Sequence, residues 1–425
     1  MSSAASALGP AVVPRDWTRV RARSAVLPLF ALVVGATWPT SVGGNIVVAL
    51  AVAHTFLAGA VLLGIGVLRG HLGSGLQVWL SAAILAVVVG ASALSPFPAW
   101  APGAVVGYFA LAALLALDLR GLTPDVPMRR ALLVASWVLL AAGVAVVAAF
   151  APVVDALVRW YAAGYPELVA FMTFARKPVF TFGSHSIAGF FYFLLFYLNL
   201  ETARVTGQRR YLLTATALVA LGYFLASVTA AVLMSCALAT LVARSGQHRR
   251  LVVGILGVAA LAGAVLLRDH VQDLAVVAQL SNSLGAQESG LSGRYASGGN
   301  LVSNLRYIAA HPFRPVGLTF SPDLFYGDSG PIEYLTRGSL PLLVAVYGAL
   351  ATFLFRSLYA PRHARVLLTL VVAFEAGFTI LTYHRFFFLV VFAVLYLNHL
   401  RVPGSRDAAD ATWGIRPNPD APVTP

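Results

Sequence analysis

Long apolar runs dominate the chain and are separated by breaks rich in charge, proline or glycine, with approximate spans of 25–42, 45–68, 76–95, 101–119, 131–153, 185–203, 211–226, 228–243, 250–267, 338–356, 364–382 and 386–400. Crossing roughly 30 Å of hydrocarbon takes about 20 apolar residues in a helix. The pattern therefore predicts an all-α, polytopic membrane protein with about 12 transmembrane helices. The seventh and eighth runs read together would make about 33 residues, too long for one ordinary span. Ser227 and Thr229 are expected to turn the chain between them.

Two intervals are too long to be plain connectors, 154–184 and 268–337. Long loops that are not low-complexity tend to carry function. The larger interval holds an apolar stretch at 271–280, a Gly/Ser/Asn-rich stretch at 281–300 and an amphipathic stretch at 301–310, so short interfacial helices are expected in it. With no internal repeat and no heptads, residues 1–403 read as one transmembrane domain that includes both loops. Residues 404–425 read as a disordered tail.

Composition agrees with a bilayer as the solvent. The 425 residues are 59% hydrophobic and 11% charged, with a mean hydropathy of +0.82, which one soluble core could not hide. A net charge of +13 would suggest nucleic acid in a soluble protein. Its distribution gives another cause. If the N-terminus is cytoplasmic, 20 of the 29 basic residues fall in cytoplasmic segments, and the outer loops keep nine basic residues against eight acidic ones. Cytoplasmic loops are enriched in arginine and lysine, so the charge reports orientation. Both termini are expected inside a cytoplasmic membrane, the two long loops outside, and nucleic acid is excluded as a partner. The polar N-terminal stretch lacks the form of a cleavable leader, so the first run is expected to remain as an anchor. Cys236 is the single cysteine, which rules out an internal disulfide.

No nucleotide-binding glycine loop, metal-ligand cluster or nucleophile elbow is present, and the nine histidines show no i, i+4 pair. No metal and no cofactor are expected. The loops offer arginine instead, whose planar fork binds phosphate oxygens through paired, charge-assisted hydrogen bonds. The first loop ends in Phe174-Ala-Arg176-Lys177-Pro-Val-Phe-Thr-Phe-Gly183-Ser-His185, where the sole lysine of the protein stands beside Arg176. The bland reading is that both cations snorkel to lipid headgroups. The second loop carries Gly293-Arg294, then Arg306-Tyr-Ile-Ala-Ala-His311-Pro-Phe-Arg314-Pro-Val-Gly317. It closes with Gly327-Asp328-Ser329-Gly330-Pro-Ile-Glu333-Tyr334-Leu-Thr-Arg337.

An attacking hydroxyl benefits from a base within reach. His185, His311, Asp328 and Glu333 are the candidates, with Asp328 and Glu333 ranked first for their place before the tenth run. Set against this, Asp328 would serve equally to close a turn, Glu333 to cap a helix and His311 to hold its loop. Arg306, Arg314 and Arg337, with Lys177 and His185, are candidate phosphate or glycan contacts. Glu375 lies within the eleventh run, where a carboxylate is costly without a partner, and a bundle-stabilising contact is expected. Trp160, Tyr161 and Tyr383 read as interfacial anchors.

The order of these elements resembles the Wzy-type O-antigen polymerases: Arg-x(6)-Gly entering a mid-chain helix, Gly-Arg followed by His-Pro and Gly-Leu, then Asp-Ser approaching a helix. That family shares a superfamily with the O-antigen ligases. The resemblance covers roughly residues 170–350. It implies metal-independent transfer of a glycan from an undecaprenyl-pyrophosphate-linked donor to a sugar hydroxyl of a lipid-linked acceptor at the outer leaflet. By motif position it places the essential loop arginines at Arg176 and Arg294, and it suggests membrane lipids and a chain-length regulator as partners. Asp328-Ser329 stands where the ligases place a histidine, which tilts the reading from ligase towards polymerase. The family's serine-arginine turn is replaced by Ser227-Val-Thr229. A transporter or flippase is the rival from another class, since twelve helices suit it, although no two similar halves are visible.

Overall fold

The computed structural model describes residues 64, 70–120, 128–159, 166–173, 175–182, 185–225, 228–244, 249–266, 300–324, 326, 329–382 and 384–400. The expected runs at 25–42 and 45–68, the stretch at 271–280 and the tail at 404–425 lie outside them, Gly64 apart. Within them the chain is mostly helical, without a strand and with two isolated bridges. The helices are α1 (Gly75–Leu94), α2 (Pro102–Leu115), α3 (Met128–Val147), α4 (Ala151–Leu157), α5 (Pro166–Thr173), α6 (His185–Thr206), α7 (Arg209–Tyr223), α8 (Val228–Arg244), α9 (Arg249–Leu266), α10 (Asn300–Ala310), α11 (Gly330–Ser357), α12 (Pro361–Glu375) and α13 (His384–His399). Of these, α1, α3 and α11 are long and apolar enough to cross a membrane. The full number of spans, expected at about 12, is not fixed by the described residues.

Contacts between helix ends define two ends of the bundle. At one, Leu119 N donates to Ser357 Oγ (3.1 Å), Asn398 Nδ2 to the Ser357 carbonyl (2.7 Å), and Thr202 and Tyr396 share a hydroxyl hydrogen bond (2.6 Å). At the other, the 311–326 loop is seated on residues 92–101. The long helices run between these ends, whereas α10 lies at the loop-bearing one. α6 is the centre: Phe190, Phe191, Tyr192, Leu194, Leu195 and Phe196 are all buried, against α3, α7, α8, α12 and α13. Between helices in lipid such packing acts through close van der Waals contact rather than through water exclusion.

Three boundaries depart from the apolar runs, each for a local reason. The 131–153 run splits because α3 closes at Val147: Ala149 is left-handed (φ 54°), Phe150 N reaches back to the Ala145 carbonyl (2.8 Å), and Pro152 has no N–H with which to continue. The runs at 211–226 and 228–243 form two helices, α7 and α8. α12 ends seven residues early, at Glu375, because its carboxylate takes the N–H groups of Ile380 (3.0 Å) and Leu381 (2.9 Å) and folds the following loop back on the helix end. α11 begins at Gly330, eight residues before the tenth run, and is interrupted rather than shortened. The stretch at 301–310 is helical as α10.

The interruption in α11 positions the loop-bearing end. Ser339 is non-helical (φ 57°), and Pro341 cannot donate to the Arg337 carbonyl four residues back. Two carbonyls are thereby released, and the loop claims both: Val316 N donates to Thr336 O and Gly317 N to Arg337 O, each at 2.9 Å. Gly317 is left-handed (φ +62°), and a Cβ there would run into the backbone nitrogen of Ser92. Gly317→Ala is therefore expected to cost about 1–2 kcal/mol from the backbone alone, with more from the clash. The check is thermal unfolding in detergent together with proteolysis of the loop: the variant should melt lower and be cut sooner between 311 and 326.

Candidate functional site

The loop-bearing end holds two polar clusters. The first is built on α11. Arg337 and Glu333 are one helical turn apart and both buried, with Arg337 Nε on Glu333 Oε1 at 2.9 Å. Arg337 Nη1 also donates to the carbonyls of Gly317 (2.7 Å) and Thr319 (3.3 Å). Its guanidinium carbon lies 4.4 Å from the centroid of the Tyr326 ring, a cation–π contact. Tyr326 in turn accepts from Ser321 N (3.2 Å) and lies against Phe320. One arginine thus fastens both sides of the docked loop to the first half of α11. Its carbonyl contacts and its carboxylate leave it fixed in direction.

That geometry makes Glu333 an ion-pair partner, so the pair's energetics are testable. Removing one member of a buried pair leaves an uncompensated charge and costs roughly 3–5 kcal/mol. Glu333→Gln and Arg337→Met are each expected to destabilise strongly, and the double variant by about 1–3 kcal/mol less than their sum. Chemical unfolding of the four proteins in detergent measures the coupling, and simple additivity would contradict the arrangement.

α10 packs on this cluster through Asn304 Nδ2, which donates to Thr336 Oγ1 (3.2 Å). One turn on, Tyr307 donates to the Arg314 carbonyl (2.8 Å), stacks on His311 at a centroid distance of 4.9 Å, and faces Phe97. Burial pushes the Tyr307 and Tyr326 phenols above their ordinary range, and Tyr326 adds to the cost of ionising Tyr307. Both therefore stay protonated at neutral pH, Tyr307 donating to the Arg314 carbonyl and Tyr326 accepting from Ser321 N. His311, Arg314 and Arg306 are exposed on this surface, and Arg306 has no polar partner among the described residues.

The second cluster is the end of the first loop. Lys177 N donates to the Phe171 carbonyl (2.8 Å) and Val179 N to the Lys177 carbonyl (2.8 Å), which makes a tight reversal before a short 3₁₀ turn at Phe180–Phe182. The Lys177 ammonium is buried and lies 5.1 Å from the centroid of Phe171, whose ring also meets His185 edge-on at 5.8 Å. Desolvation lowers the Lys177 pKa from its ordinary value. Arg176 is held in a left-handed conformation (φ 49°), half-buried, with no hydrogen bond or ion pair from its guanidinium among the described residues. Strain of this kind costs of order 1–3 kcal/mol and tends to gather at functional sites.

The structure thus joins Glu333 with Arg337, His311 with the Tyr307–Arg314 pair, and Lys177 with His185. Arg294 and Asp328 lie outside the described residues, as do Trp160, Tyr161 and Tyr383. The clusters are linked through packed side chains: α6 carries His185 and then Phe190, which meets Phe374 edge-on at 5.1 Å, and Phe374 precedes Glu375. Glu375 is fully buried and accepts from Tyr334 (2.7 Å) and Tyr347 (2.9 Å) on opposite sides of the α11 break. The expected bundle contact of Glu375 is thus present.

Sequence reasoning missed Tyr326, Gly317's seat on Ser92 and the α11 break. Pro341 signalled the break, but an apolar run continuing past it hid the signal. Among the described residues no group of three or more His, Cys, Asp or Glu could hold a metal ion. No family model, no characterised protein and no solved structure matches the chain.

Proposed function

We propose that this is a membrane glycosyltransferase that polymerises undecaprenyl-pyrophosphate-linked oligosaccharide units at the outer face of a cytoplasmic membrane. The observation that carries it is Arg176: a half-buried guanidinium without a protein partner among the described residues, beside a desolvated lysine, on a strained turn. A cation left unpaired in a low-dielectric rim suits an anionic ligand, and a diphosphate offers the oxygens its fork needs. Arg176 and Arg294 would hold the pyrophosphate and offset the charge that grows on it as the glycosidic bond breaks. The acceptor sugar hydroxyl attacks the anomeric carbon, loses its proton to a base, and the lipid pyrophosphate leaves. Asp328 is the favoured base, since Glu333 is already engaged with Arg337. Arg306, His311 and Arg314 would contact glycan, and Arg337 would hold the loop that presents them.

The orientation rests on charge. Arg120, Arg129, Arg204, Arg210, Arg356 and Arg362 all lie at the end opposite the loops, which fits a cytoplasmic placement of that end. Transport has one feature in its favour, the broken helix beside a buried carboxylate. Here the released carbonyls and the carboxylate are all occupied by protein donors, so they present no vacant ion or substrate site. The test uses Arg176→Ala with Arg294→Ala in cells. Lipid-linked precursor collecting on the outer face supports transfer; precursor collecting on the cytoplasmic face would instead mean a flippase. A single transfer to a foreign acceptor in the parent protein would mean a ligase.

A further inference from the structure

Phe313 is the most exposed large apolar side chain among the described residues, at 89%. The turn that carries it is held firmly. Arg314 N donates to the His311 carbonyl (3.1 Å), so Phe313 takes the third position of a β-turn whose second is Pro312, with its φ locked by the ring. Both sides of the turn are tied down: Tyr307 donates to the Arg314 carbonyl (2.8 Å) and Ser339 Oγ to the Pro312 carbonyl (2.9 Å). The backbone itself therefore presents the ring outward.

The bond to Ser339 sets the height of the ring. As a helix the apolar run at 338–356 is about 28 Å long, close to the thickness of a hydrocarbon layer. The exposed Arg356 closes it at one edge and Ser339 stands at the other, with the Glu333–Arg337 pair beyond that edge towards the loops. Pro312 and Phe313 are thus level with the boundary between acyl chains and headgroups. α1 gives the same level independently. Its run at 76–95 closes on Leu94, 67% exposed, and the next residue, Ser95, shares a hydroxyl hydrogen bond of 2.6 Å with Thr319 of the same loop. Isolated apolar side chains on a surface are ordinary, but Phe313 is not isolated. Leu340, the neighbour of Ser339, and Val344 one turn on are 61% and 59% exposed and share a side of α11. Trp100, also 61% exposed, pairs through its backbone with Thr319. Exposed Arg306 and Arg314 flank these rings. Aromatic rings with arginines beside them are the chemistry of a membrane–water interface.

We propose that the 311–314 turn inserts Phe313 into the leaflet at the loop-bearing end, where acyl chains meet headgroups, so that the bilayer itself covers the ring. The docked loop is then held from two sides, by the broken α11 and by lipid. The proposal rests on the chain spanning a membrane and is independent of the transfer chemistry.

The experiment is fluorescence quenching on the full chain in phosphatidylcholine vesicles. Cys236→Ser removes the single cysteine, and Phe313→Cys is then labelled with bimane. So nearly complete an exposure means that the replacement leaves the fold intact. The control is Asp323→Cys, an exposed charged position on the same loop, labelled in the same way. A side chain at this boundary reaches roughly 5–10 Å into it. Phosphatidylcholine with a nitroxide on an upper acyl carbon should therefore quench most of the emission at 313, which should also lie at shorter wavelength, and aqueous iodide should leave it unchanged. At 323 the two quenchers should act in the reverse sense. Quenching by iodide at 313 would overturn the proposal by placing the ring in water. Resistance to both quenchers would overturn it in favour of a protein cover, a second copy of the chain or one of its own segments. Equal quenching by the nitroxide lipid at both positions would overturn the insertion of this turn in particular.

Discussion

Replacing Arg176 or Arg294 by alanine is expected to lower the rate of glycan polymerisation by about 10² to 10³ each, and the pair together should leave no measurable polymer. The size follows from what a preorganised donor does. It faces charge that is small in the bound donor and large in the transition state, so its loss is felt mainly in kcat. Arg176 suits that role because nothing described in the protein competes for its guanidinium and its backbone is held in a left-handed turn. Lysine at the same position should recover only part of the loss, since a point charge does not reproduce a two-pronged contact. Initial rates with a purified donor separate these cases. A large rise in KM at unchanged kcat would mean that Arg176 serves ground-state binding alone.

The second large effect is on stability. Glu375 accepts four hydrogen bonds: three on Oε1, from Tyr334, Ile380 N and Leu381 N, and one on Oε2, from Tyr347. Glu375→Ala strands four buried donors, each worth roughly 1–3 kcal/mol when left unmade, so a loss on the order of 4 kcal/mol or more is expected. Glu375→Gln keeps one carbonyl oxygen for the three donors and offers an amide N–H to the Tyr347 oxygen. It should be much the milder change. Unfolding in detergent compares them directly, and an alanine variant no worse than the glutamine one would show that the carboxylate does not tie α12 to both halves of α11.

The membrane character and the helical class were legible because apolar runs are a property of composition summed over some twenty residues, which no single contact overrides. Helix ends were less so. α12 stops at Glu375 through bonds made to residues five and six positions on, and α3 stops at a left-handed alanine; a hydropathy pattern records neither. The break in α11 is written in Pro341, yet its consequence, two carbonyls taken by the 316–317 loop, depends on a segment some twenty residues away in sequence.

The site was legible in part for the same reason. Loop arginines stand out by residue type as candidate phosphate contacts, but the type does not say which of them is already committed. Arg337, ranked with Arg306 and Arg314 by its position in the loop, spends its donors on Glu333 and two carbonyls, whereas Arg306 and Arg176 keep theirs. Distinguishing a structural from an available guanidinium needs the partner, and for Arg337 those partners lie on a loop that docks only because the helix is broken.

The most direct measurement is product analysis with the purified protein in vesicles, given its own undecaprenyl-pyrophosphate-linked repeat unit and no added metal. A ladder of lengthening lipid-linked glycans that disappears in the Arg176→Ala, Arg294→Ala protein is the predicted result. An authentic repeat unit left unextended by the folded parent protein, or an undiminished ladder from the doubly substituted one, would contradict it.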